Sequence, residues 1–151
     1  MRAFSSALAV VLATLVALPY AAAASAPAPL PAPPPAALDP GAFLFDALRD
    51  RNYRIAWDKL MKEVQPTPDW LAQFNRNFDG MTGEMKSVTI EGKPYLLSFV
   101  CKPENCGERK FAVVFDADGV HAYGALGGHS DSPAFYGAPP QELQDALAKS
   151  F

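Results

Sequence analysis

Cys101 and Cys106 are the only cysteines in the chain, and His121 and His129 its only histidines. These four side chains carry most of the chemistry on offer: a structural disulfide, a redox pair, a zinc site, or a nucleophile with its base. Zinc asks for about four N or S ligands, which would take all four residues. The Cys-x4-Cys spacing departs from the C-x-x-C of thioredoxin-like redox centres. A nucleophilic Cys106, or a Ser, with His121 as base would need a free thiol or an acid partner, and pairing of the cysteines removes the first. His121 falls in a run that reads as strand, beside Ala122 and Tyr123, where a sheet-face histidine suffices. His129 lies in a Gly-Gly-His-Ser-Asp loop and reads as solvated. Asp116 and Asp118 flank a turn, which accounts for them better than a calcium loop does. No phosphate loop, nucleotide fingerprint or paired catalytic carboxylates are present. The expectation is a chain without catalysis, metal or cofactor, whose cysteines form a disulfide.

A disulfide needs an oxidising compartment, and the N-terminus supplies the reason to expect one. Ala7 to Leu18 is an apolar run broken only by Thr14, preceded by Arg2. Ala22-Ala23-Ala24 and Ala24-Ser25-Ala26 both fit a signal-peptidase site. Twelve residues are too few to span a bilayer as a helix, so residues 1–26 read as a signal peptide and not as a membrane anchor. Residues 27–40 hold seven of the chain's fifteen prolines. Such a segment is a stiff polyproline spacer, with a reach of ~43 Å at ~3.1 Å per residue. The folded part is then residues 41–151, enough for one modest core. Net charge is −3, and −4 once Arg2 leaves with the leader. Without a basic run there is no electrostatic footprint for nucleic acid.

The folded part must position the cysteines. Asp39-Pro40 reads as the start of a short apolar helix through Ala42, Phe43, Leu44, Phe45, Ala47 and Leu48. Asn52 can cap a second helix, with Tyr53, Ala56, Trp57, Leu60, Met61 and Val64 as its core stripe. Pro66 ends it, and Thr67-Pro68-Asp69 can begin a third carrying Trp70, Leu71 and Phe74. After Gly83 the period becomes strand-like. Strands are expected over 85–90, 93–101, 109–115 and 120–126, with turns at Glu91-Gly92 and Asp116–Gly119. Residues 134–137 read as a short edge strand, and Pro140 starts a last helix with Leu143, Leu147 and Phe151 on one stripe. Helices followed by consecutive hairpins predict an α+β domain: an antiparallel meander packed with N-terminal helices and a C-terminal helix.

Cys101-Lys102-Pro103-Glu104-Asn105-Cys106-Gly107 then lies at a hairpin tip. A disulfide there, with Pro103, would fix four exposed residues and lower the entropy they lose on docking. The segment resembles the signature of the Ivy family, inhibitors of vertebrate (c-type) lysozyme. The likeness extends through Trp57, Met61, Pro68-Asp69-Trp70 and the strand pair before Cys101, roughly residues 50–126. It implies an inhibitory loop of Lys102, Pro103, Glu104 and Asn105, closed by Cys101 and Cys106, that plugs a muramidase cleft from the periplasm. The implied protein partners are c-type lysozyme or a lytic transglycosylase, and dimers occur in the family. The family carries His then Asp where Glu104 and Asn105 stand here. A second reading is therefore an envelope domain of the same fold that binds without inhibiting lysozyme.

Overall fold

The computed structural model describes residues 41–128 and 132–151. The leader and spacer expected over residues 1–40, with the Asp39-Pro40 cap, and His129 lie outside the described residues. The chain runs α1 (Leu44–Ala47), α2 (Arg51–Glu63), α3 (Asp69–Asn77), β1 (Met81–Thr82), β2 (Lys86–Ile90), β3 (Lys93–Cys101), β4 (Lys110–Asp116), β5 (Ala122–Gly127), β6 (Ala134–Tyr136) and α4 (Gln141–Ala148). β3, β4, β5 and β6 form an antiparallel meander. β1 and β2 share the far edge of β3: Met81 faces Cys101, and further along Lys86 faces Leu97. The architecture is the α+β arrangement expected.

Alternation along β4 decides how the layers stack. Phe111, Val113 and Phe115 face the core built by α1, α2 and α3, whereas Ala112 and Val114 face the smaller cluster under α4. Trp57 anchors the larger core, edge-on to Phe74 at 5.8 Å and to Phe111 at 5.6 Å. Its indole N–H donates to Asn75 Oδ1 at 2.7 Å, so burial leaves no orphan donor. Leu143 and Leu147 of α4 cover the opposite face. β4, buried on both faces, is the rigid strand from which the candidate site projects.

Helix starts differ from expectation. α2 is capped by Asp50, whose carboxylate accepts from the Asn52 N–H at 2.8 Å; Asn52 lies inside the helix. α1 begins after Phe43, because residues 42–44 pair with the strand region: Met85 N–H donates to the Ala42 carbonyl, and Leu44 N–H to that of Gly83. Asp46 closes this short helix by accepting from the Phe43 N–H at 3.1 Å. His121 precedes β5 and is not mid-strand. Asp116 claims it, accepting its backbone N–H at 2.9 Å and meeting Nδ1 at 2.8 Å, with the side chain 62% exposed. Among the described residues no helix is long and apolar enough to cross a membrane.

Candidate functional site

The Cys101–Cys106 disulfide is present, with the Cα atoms 4.9 Å apart. Cys101 ends β3 and faces Lys110 across the ladder, while Cys106 sits within the connection and belongs to no strand. The loop therefore runs from 102 to 109, longer than the disulfide ring. Its stem closes where the Lys102 N–H donates to the Arg109 carbonyl at 3.0 Å. Bonds to the Asn105 carbonyl from the N–H groups of Glu108 (3.3 Å) and Arg109 (3.0 Å) then fold residues 105–109 onto themselves.

The tip is a tight turn. Asn105 N–H donates to the Lys102 carbonyl at 3.0 Å, with Pro103 and Glu104 at the corners. Proline presets the first corner's φ, and Glu104 takes the second at φ 63°. That region is costly for residues with a Cβ, at about 1–2 kcal/mol. Here the turn hydrogen bond and the disulfide impose it on a glutamate. Lys102, Pro103 and Glu104 are exposed, and Asn105 and Cys106 half-buried. The five loop residues and Cys101 are thus brought into one structure, with Glu104 exposed at its second corner.

Below the tip, the molecule holds the stem firmly. Lys110 donates to the Ser150 carbonyl at 2.7 Å and lies over the rings of Phe99 (5.2 Å) and Phe151 (5.9 Å). Gly128 is buried directly against the backbone of Glu108, so that even a methyl group there would displace the stem. Met81 of β1, 54% exposed, places Sδ 3.9 Å from Cys106 Sγ. On another side lies a groove of about 530 Å3, bordered by Trp70, Asn105, Arg109 and Leu126. No local pattern in the sequence marks Met81, the close packing of Gly128 or the groove. The Pro68-Asp69-Trp70 segment was the one signal pointing toward it.

The structure places Cys106 and His121, the nucleophile and base weighed from the sequence, far apart in the fold. Cys106 is bonded, and His121 sits with Asp116 beyond the far end of β4 from the loop. Among the described residues no group of three or more His, Cys, Asp or Glu is placed to hold a metal ion.

Fold and loop together define a class: small α+β domains whose central hairpin carries a disulfide-closed, exposed turn. The profile of "Inhibitor of vertebrate lysozyme (Ivy)" matches residues 52–151, and the chain belongs to that family. It is 29% identical over 119 residues to the inhibitor of vertebrate lysozyme of Pseudomonas aeruginosa, covering 70% of this chain and 75% of that one. An uncharacterised protein of the same organism is 35% identical over 75 residues, covering 50% of this chain and 46% of its own. An uncharacterised protein of Yersinia pestis is 27% identical over 88 residues, covering 58% and 54%.

Proposed function

We propose that the chain is an exported protein inhibitor of lysozyme-type muramidases, acting in the periplasm by inserting Lys102, Pro103, Glu104 and Asn105 into the enzyme's cleft. The observation that carries this reading is the preformed turn between Lys102 and Asn105, held by the disulfide at the end of the buried hairpin. Each residue whose backbone is fixed before docking spares on the order of 1–2 kcal/mol of ordering cost. Such a protrusion suits a concave site, and family membership supplies the kind of enzyme. The leader read over residues 1–26 supports export, and the spacer over 27–40 would then be a stiff N-terminal extension of the mature chain.

Glu104 bears on which muramidase is the target. Glycosidases of the retaining type work with two carboxyl groups about 5–5.5 Å apart, a setting hostile to a further carboxylate. An exposed glutamate at the tip therefore favours a cleft with fewer carboxylates or with a cation, and a lytic transglycosylase of the cell's own envelope is the second candidate target. The test is a titration of the purified mature chain against c-type lysozyme, by clearance of cell walls, and against a lytic transglycosylase, by release of soluble fragments. Dose-dependent inhibition of either enzyme is expected. Activity of both, unchanged at saturating chain, overturns the proposal.

A further inference from the structure

The loop is too small to be a whole interface. A stable protein–protein contact buries roughly 800 Å2 and 20–30 residues on each side. The tip offers Lys102 to Asn105, so most of the contact must come from surface continuous with it. The groove beside the stem is such a surface, because Asn105 belongs to both the turn and the groove wall. Its volume, about 530 Å3, can hold a side chain or two of a partner. Its walls bring together residue types that concentrate binding energy, a tryptophan and an arginine, with proline and leucine as apolar backing and the Glu108 carboxylate next to Arg109. Trp70 is half-buried, held at its base by the larger core, so its ring needs little ordering on contact. Arg109 is exposed, and its backbone is fixed in the stem by bonds to Lys102 and Asn105.

We propose that this groove is the second half of the interface. It receives a projecting element from the rim of the same cleft that takes the loop, an apolar side chain against Trp70 beside a polar group that accepts from the Arg109 guanidinium. The inference rests on the loop reading above and adds to it the partner's shape: a rim with a protrusion next to the cleft. Occupancy of the groove would also fix the angle at which the loop enters.

Two variants test it without touching the tip. Ala134→Trp, at an exposed position on β6, fills the groove; Arg109→Ala removes the cation and leaves the stem's backbone bonds intact. Inhibition of the muramidase should weaken at least tenfold for Ala134→Trp and about fivefold for Arg109→Ala, with melting temperatures unchanged. Val120→Ser, at the opposite end of β4, is the control and should match wild type. Nuclear magnetic resonance of the Trp70 indole N–H should show a shift when the target enzyme is added. If wild type inhibits and both groove variants inhibit within twofold of it, the groove proposal falls and the loop reading stands. If the indole shifts with a soluble amino-sugar oligomer while Ala134→Trp inhibits normally, the groove binds glycan and this proposal is wrong. A wild-type chain that inhibits neither enzyme sinks both readings together.

Discussion

Asn105 donates its backbone N–H to the carbonyl of Lys102 at 3.0 Å, and Glu104 between them is held at φ 63°. Glycine and asparagine tolerate that conformation, whereas a β-branched residue there is a true outlier. Glu104→Val should therefore lower stability by about 1–2 kcal/mol relative to Glu104→Asn. Urea midpoints of the two variants measure the difference. Equal midpoints would show that the turn relaxes away from the left-handed region.

Cys106 reaches back from within the loop to Cys101, so the bond constrains the tip more than the hairpin. A ring of six residues gives about 2 kcal/mol of stability in the chain-entropy model. Mass spectrometry of the mature chain should show two hydrogens fewer than the reduced form. Reduction should leave the fold intact, since the buried sheet does not depend on the bond. Inhibition should weaken roughly tenfold if about 1.4 kcal/mol of ordering moves from folding to binding. Undiminished inhibition by the fully reduced chain would mean that the turn holds its shape unaided.

Legibility in the sequence followed how local the cause was. The stripe from Tyr53 to Val64 is buried as its helical spacing predicts, and β3 has the expected bounds, Lys93–Cys101. Both follow from periodicity, which packing enforces. The α2 cap moved from Asn52 to Asp50 because either side chain can accept an N–H, and sequence does not rank them. His121 left the strand because Asp116 captures both its amide and its ring, a tertiary choice between competing bonds. At the site, the cysteine pair was readable. So was the place of Cys106 between two strands; the folding of residues 105–109 onto the Asn105 carbonyl was not, since no local pattern ranks those bonds. The groove joins α3, the loop stem and β5, which no local pattern brings together.

Tyr53 is buried under Gly119 and donates its hydroxyl to the Ala117 carbonyl at 3.3 Å. Burial raises its pKa above the ordinary tyrosine value, and Asp50, Asp116 and Asp118 add to the rise. The native state thus holds this proton more tightly than the unfolded chain. The stabilisation is fully present below the unfolded value of about 10, and is lost as pH rises through the higher folded value. Stability in urea should decline above pH ~10, and Tyr53→Phe should flatten that decline. Tyr123 is shifted in the same direction by burial, so part of the slope should remain. At neutral pH the variant should lose about 0.5–1.5 kcal/mol with the hydroxyl's bond. Parallel alkaline slopes for the two proteins would show that Tyr53 is not the responsible group.

Glu104 occupies the corner that would lead into a cleft, where the family resemblance places histidine. Two like charges 4 Å apart at an effective dielectric near 20 repel by about 4 kcal/mol. That energy corresponds to roughly a thousandfold in affinity. Glu104→His should relieve the repulsion and add a group whose two ring nitrogens can meet two carboxyl groups. Histidine also suits the geometry, being enriched among residues at positive φ. Inhibition of c-type lysozyme should improve by about one to three decades, less than the full Coulomb estimate because clefts relax and keep water. Glu104→Gln separates the two effects, removing the charge without supplying the ring, and should gain less than Glu104→His. Asn105→Asp should act only secondarily, by bonding to its own backbone. The measurement is clearance of cell walls by lysozyme with titrated inhibitor, wild type beside the three variants. A folded Glu104→His chain that inhibits no better than wild type would mean that residue 104 does not meet the lysozyme acids.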